Sequence, residues 1–262
     1  MGNIAQSRLS VKGCSRAGRL LVAGRATGRH HARRKLKREK GGPVTRCVVF
    51  DLGGVLIDWN PRHLYRRLFN GNAAAMEHFL SHICTPEWNH QQDLGRTWAE
   101  AVAERSARFP EHAAMIRLYA ERWDEMVAGA IEPTVEILGA LKAAGWPLYS
   151  VTNFSAETFP RMVERFSFLQ LFDGIVVSGD EGVGKPDRAI YRILFDRYRL
   201  EPGRCLFIDD VAVNVAGSEA AGMPAIYYRS PPQLASDLAA RGVLAASSPT
   251  GRDADPRSQV PG

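Results

Sequence analysis

Six polar residues, far apart in the chain, stand where short apolar runs end. Asp51 closes "CVVFD" and is followed by Leu52, Gly53 and Gly54. Thr152 and Asn153 close "PLYSVTN", Lys185 lies in "GVGKPD", and Asp209 and Asp210 close "RCLFIDD". A carboxylate beside apolar neighbours costs stability unless a positive partner or hydrogen-bond donors satisfy it. Two adjacent acids are worse placed still, and they make little sense without a cation. Three carboxylates can hold a hard divalent ion, which prefers oxygen ligands, and Mg²⁺ takes one or two of them alongside the phosphate oxygens of a substrate. A lysine and a threonine hydroxyl supply charge and hydrogen bonds to such oxygens. The set outlines a site for phosphoryl transfer.

These residues meet only if the runs they end are neighbouring strands. "RCVVF", "PLYSV", "GIVVS", "RCLFI" and "PAIYY" are short, continuously apolar and rich in β-formers, the pattern of strands covered on both faces. From "PLYSV" onward they alternate with amphipathic helical stretches, "TVEILGALKAAG", "AETFPRMVERF", "DRAIYRILFDRYRL" and "VAVNVAGSEAAG". The alternation predicts an α/β fold, a Rossmann-like parallel sheet with helices on both faces. Open sheets of this kind bind ligands beyond the carboxyl ends of their strands, where the six residues fall. One connection is too long: about 80 residues separate the first strand from the helix near Pro133, far more than a crossover needs. Apolar spacing in "PRHLYRRLF", "NAAAMEHFLSHI", "RTWAEAVAERSARF" and "HAAMIRLYAERWDEMV" predicts an inserted helical subdomain over 60–130, between core segments 43–59 and 131–245.

Taken together, Asp51-Leu52-Gly53-Gly54-Val55, Thr152-Asn153, Lys185, Asp209-Asp210 and the helical insertion resemble a haloacid dehalogenase superfamily hydrolase over roughly residues 44 to 245. The resemblance implies that Asp51 is a nucleophile that attacks phosphorus and forms an aspartyl-phosphate. Thr152, Asn153 and Lys185 would bind the phosphoryl group, with Lys185 balancing its charge. Asp51, Asp209, Asp210 and the carbonyl of Gly53 would hold Mg²⁺, and the insertion would be that superfamily's first type of cap. One departure stands out. Most phosphatases of the superfamily read DxDGT, the second aspartate protonating the leaving group and then activating water, and this chain has Gly53 there. It resembles a bacterial subgroup with a DLGxV pattern, some members of which are described as sugar-phosphate phosphatases. Asp58 reads as a turn acid rather than a replacement. The expectation is a Mg²⁺-dependent phosphomonoester hydrolase acting on a small phosphorylated metabolite, a sugar phosphate foremost. Two alternatives remain open: a metal-independent 2-haloacid dehalogenase, and a non-catalytic module of the same fold that binds a phosphorylated ligand. The acid pair Asp209-Asp210 speaks against the first, and the retained nucleophile, lysine and acid pair against the second.

In the insertion, Trp88 could stack on a sugar face while Gln92 and Arg96 reach its hydroxyls, or Trp88 and Trp98 could simply pack the insertion's own core, which is the favoured reading. Arg62 and Arg66 read equally well as solvated. The net charge of +6 belongs to residues 1–42, which hold 12 Lys or Arg and a single acid, Glu39, for a local balance of +11 against −5 for the rest. That segment and 246–262 have the composition of disordered tails. The basic tail fits an arm for nucleic acid or anionic lipid, an organelle transit peptide, or a poorly constrained extension, the last being favoured. Cys14, Cys47, Cys84 and Cys205 show no CxxC spacing, and they read as reduced thiols with no zinc site. No stretch has the length of a membrane span. The chain is thus expected to be cytoplasmic, a monomer or homodimer, with a small-molecule substrate, no membrane and no specific nucleic acid.

Overall fold

The computed structural model describes residues 45–245, so both terminal segments, and Cys14 with them, lie outside the described residues. Along the chain run β1 (Cys47–Phe50), β2 (Ile57–Trp59), α1 (Arg62–Leu68), α2 (Ala73–His78), α3 (Pro86–Asp93), α4 (Trp98–Arg108), α5 (Ala113–Glu121) and β3 (Val127–Ala130). There follow α6 (Glu132–Ala143), β4 (Leu148–Thr152), α7 (Phe159–Arg165), β5 (Gly174–Val177), α8 (Ser178–Glu181), α9 (Arg188–Tyr198), β6 (Cys205–Asp209), α10 (Ala212–Ala220), β7 (Ala225–Tyr227) and α11 (Pro231–Ala240).

Five strands form one sheet in the order β5-β4-β1-β6-β7, every pair parallel. β1 is central and wholly buried. Its side chains alternate between the two faces, as strand geometry requires: Val48 and Phe50 join the cluster that includes Leu138 of α6 and Leu234 of α11, whereas Cys47 and Val49 join Ile190 and Leu194 of α9. Helices therefore cover both faces, which is why these strands read as unbroken apolar runs. Phe50 pairs with Ser150 on β4 and Ile208 on β6. Asp51, one residue on, donates its backbone N–H to Ile208 O at 2.8 Å, so the ends of β4, β1 and β6 arrive at one edge together.

Helices α1 to α5 lie between β2 and β3, which pair antiparallel as a separate two-stranded sheet with a bulge at Asp58/Trp59. Sequence periodicity did not reveal this pairing. Thr85 caps α3 by accepting from Trp88 N, with Pro86 at the first helical position, and Thr97 and Glu100 form a capping box on α4; these signals fix where each helix starts. Leu64, Trp88 and Tyr119 belong to the same apolar cluster as Phe50 and Ile208, so the helical segment and the sheet share one core. Among the described residues no helix is long and apolar enough to cross a membrane.

Candidate active site

Asp51, Thr152, Lys185 and Asp209 are all buried at the carboxyl edge of the sheet, and Asp210 is half-buried beside them. Lys185 is the bridge: its Nζ lies 2.8 Å from Asp51 Oδ1 and 2.7 Å from Asp209 Oδ2. It reaches that position from the loop after α8, which ends at Gly182 in the left-handed region, where glycine carries no Cβ penalty. Asn153 then pins the lysine's backbone, its Oδ1 accepting from Lys185 N at 2.8 Å and its Nδ2 donating to Lys185 O at 2.9 Å. Asp209 also accepts from Val211 N at 2.8 Å and from Asn214 Nδ2 at 3.1 and 3.2 Å. Asp51 Oδ1 accepts from Leu52 N at 2.7 Å. Gly54 has a φ of +71°, and a Cβ there would stand 2.2 Å from Asp210 Oδ2. Only glycine lets the backbone turn here and leaves Asp210 its place.

One oxygen from each of Asp51, Asp209 and Asp210 lies within 4.8 Å of the others. Three carboxylates and one ammonium leave two negative charges in a buried cluster. Burial pushes the Asp51 carboxyl up to about 7, against the pull of the Lys185 charge and with the push of Asp209. Burial, then Asp209, also raises Asp210. For Lys185, burial alone would lower the ammonium, but the charges of Asp51 and Asp209 and their hydrogen bonds outweigh it and hold the group above the ordinary lysine value. The carboxylates are thus undercompensated by this chain alone. A doubly charged, oxygen-seeking cation fits that donor set in charge and ligand type. Thr152 Oγ1 is buried without a partner, an arrangement that costs stability and that suits a hydroxyl kept for a ligand oxygen.

The structure brings together every residue singled out for the site, and it gives Asn153 a further part. Its amide is committed to the Lys185 backbone, which makes it a positioning residue for the lysine as well as a lining residue. Gly53 is open on its side-chain side, with nothing within 4 Å of where a Cβ would stand. It opens onto a cavity of about 60 Å³ walled by Trp59, Trp123 and Phe154, with Asn89, Asp93 and Asn153 as its polar lining. The candidates from the helical segment lie elsewhere. Trp88 and Trp98 are buried against each other and Tyr119, Gln92 Nε2 donates to Trp88 O, and Arg96 donates to Gln92 Oε1 and Glu104. Arg62 pairs with Glu77, Arg66 is exposed, and Asp58 pairs with His63 on the β2 side. Sequence reasoning missed Trp59, Asn89, Asp93 and Trp123, which no local pattern marks. A larger hollow of about 320 Å³ opens beside Cys47 and Cys205, at the amino ends of β1 and β6 and so at the other edge of the sheet.

A family model described as haloacid dehalogenase-like hydrolase matches residues 45–222. The chain is 27% identical to the sesquiterpene phosphatase astK of Aspergillus oryzae, over 70% of this chain and 89% of that protein. It is 28% identical to a phosphoglycolate phosphatase of Yersinia pseudotuberculosis, over 69% of this chain and 79% of that protein. In fold it is similar to a family enzyme from Bacteroides thetaiotaomicron solved as a magnesium complex, with a TM-score of 0.56 at 17% identity, covering 71% of this chain and 94% of that one.

Proposed function

The chain belongs to the haloacid dehalogenase-like hydrolases, and from that premise we propose that it is a divalent-metal-dependent phosphomonoester hydrolase working through an aspartyl-phosphate on Asp51. The observation that carries this reading is the undercompensated cluster: Lys185 clamped between Asp51 and Asp209, with Asp210 adjoining. Phosphatase names among the similar proteins support it. Asp51, Asp209, Asp210 and the Gly53 carbonyl are the residues that would hold Mg²⁺, which when bound supplies positive charge to the phosphoryl oxygens.

The chain's own groups do the rest. Asp51 Oδ2 attacks phosphorus while Lys185, fixed by both carboxylates and by Asn153, keeps Asp51 oriented and offsets its charge. Thr152 Oγ1 donates to a phosphoryl oxygen, gaining the partner it lacks, and Asn153 keeps the lysine loop in register with it. The alcohol portion of the ester faces the cavity over Gly53, which admits only its near end; aromatic walls, two amides and one carboxyl suit a small molecule with a sugar-like mix of apolar face and hydroxyls. A small phosphorylated metabolite, a sugar phosphate foremost, is the substrate class. Segment 60–130 acts as a cap that shuts water out of this space.

The test is a hydrolysis screen of small phosphate esters and 2-haloacids, with Mg²⁺ and with excess chelator. Phosphate release is expected only with metal, and Asp51→Asn is expected to lower it more than about a hundredfold. Halide release that ignores the chelator would replace this reading with carbon–halogen displacement. Full phosphatase turnover by Asp51→Asn would remove the covalent step.

A further inference from the structure

The two steps of that reaction, taken as proposed above, need a proton donor and acceptor besides Asp51, Asp209 and Asp210, which that reading commits to phosphorus and to the metal. The leaving oxygen departs with an electron pair, and the water that later attacks phosphorus must shed a proton. Lys185 is locked between two carboxylates, and Thr152 carries only an ordinary hydroxyl. Among the residues lining the cavity over Gly53, one side chain titrates: Asp93, the last residue of α3.

Asp93 is held there from two sides. Asn89 Nδ2 donates to its Oδ2 at 3.0 Å, and the backbone of Ser155, two residues beyond Asn153, adjoins its carboxylate. Its own carbonyl accepts from Ser178 Oγ at 2.5 Å, and the same Oγ accepts from Phe154 N at 2.9 Å. The end of α3 is thereby stitched to the loop that carries Thr152 and Asn153. Asn89, itself buried, turns an unpartnered Oδ1 toward no protein group, so the polar side of the cavity has capacity left for a ligand.

We propose that Asp93, at the end of α3 and on the wall of the cavity that Gly53 and Asn153 also line, is the catalytic acid and base of this site. In the first step an Asp51 oxygen bonds to phosphorus, the bond from phosphorus to the ester oxygen breaks, and that oxygen takes the Asp93 proton, giving alcohol, aspartyl-phosphate and Asp93 carboxylate. In the second step water bonds to phosphorus and gives its proton to the Asp93 carboxylate, the bond from phosphorus to Asp51 breaks, and phosphate leaves with both aspartates restored. Burial pushes the Asp93 carboxyl up to about 7, opposed by its bond from Asn89 and by the Ser155 backbone, so near neutrality both forms are populated, as a group that gives and regains a proton requires. Tyr119 is its titratable neighbour and is itself held far above the phenol range by burial.

The test compares the best alkyl phosphate of the screen with acetyl phosphate, whose leaving group needs no proton. In Asp93→Asn, alkyl phosphate turnover is expected to fall about 10²–10⁴-fold. Acetyl phosphate is expected to load Asp51 at close to the wild-type rate and then stall, leaving phosphoenzyme that acid quenching recovers. Adding Gly53→Asp, which places a carboxylate in open space above the site, is expected to restore alkyl turnover at least about tenfold. Equal losses on both esters without trapped phosphoenzyme, or no loss, overturn the proposal. In the wild-type background Gly53→Asp is expected to raise alkyl turnover by less than about tenfold; a rise of about a hundredfold would mean that the donor was missing, and overturns it without any change at Asp93. A wild-type enzyme that hydrolyses neither ester fails the phosphatase reading itself, a separate result.

Discussion

A lysine as buried as Lys185 ordinarily loses its proton, because burial disfavours the ammonium more than any neutral form. Here two carboxylates at 2.7 and 2.8 Å keep it charged, and breaking that arrangement from one side leaves Asp51 and Asp209 facing each other with nothing between. Lys185→Met is therefore expected to cost about 3–5 kcal/mol of stability in denaturant titrations. Mg²⁺ is expected to raise the melting temperature of the variant more than that of the wild type, since ligand binding to the folded state adds stability and the variant's site holds one more net negative charge. Unaltered stability with an unaltered response to Mg²⁺ would contradict this account. The acids and Thr152 were legible in the sequence because each ends an apolar run, where a polar group is conspicuous, and Lys185 because it stands in the glycine-rich "GVGKPD" that follows "GIVVS". Asp93 was not, because it sits in "NHQQDLG", a polar helix end where one more acid is unremarked. Only the contact with Ser155 and the shared cavity single it out.

At the scale of elements, the five sheet strands could be read because a strand covered on both faces has no polar side to blur it. β2 and β3 could not. "IDW" and "VAGA" are three and four residues long, too short for a period, and their partners lie across the whole helical segment. The same limit hid the cavity walls, since Trp59 stands on β2 and Trp123 just before β3, their rings stacked at 6.5 Å. Trp88 went the other way. Its ring packs edge-on to Trp98 at 5.8 Å and Tyr119 at 5.2 Å, with the Arg105 guanidinium 5.6 Å above it. Trp88→Ala is accordingly expected to cost about 3–5 kcal/mol in folding free energy while leaving KM for a small phosphate ester within about threefold. A KM rise without loss of stability would make Trp88 a substrate contact instead.

For the molecule as a whole, the shared apolar cluster decides how it comes apart. Side chains from α1, α3 and α5 are continuous with Phe50, Leu138 and Ile208 of the sheet layer, and Trp98 N donates to Glu157 Oε1 while Arg161 pairs with Asp124 across the same boundary. Unfolding the helical segment alone would strip the sheet of part of its cover. With Trp146 of the sheet layer replaced by Phe, the remaining Trp59, Trp88, Trp98 and Trp123 report on that segment and its β2–β3 base by fluorescence, and circular dichroism reports on all the helices. The two signals are expected to share one midpoint in urea, the mark of a cooperative transition; midpoints separated by more than about 0.5 M would show the segment unfolding by itself.

The β2–β3 ladder has a consequence for descent. Trp59 lies beside Val127, so the chain leaves for its helical excursion and comes home through adjacent doors. Whatever the length of the excursion, its two ends are already clasped, and the entropy of closing so long a loop is borne by this small ribbon rather than by the strands that carry Asp51 and Asp209. Under the proposed cap role, a lineage that lengthens or shortens the outer part of the excursion would retune which molecules are admitted. Such changes are confined to positions away from the shared core, because Leu64, Trp88 and Tyr119 also cover the sheet and the end of α3 is bonded to Ser178.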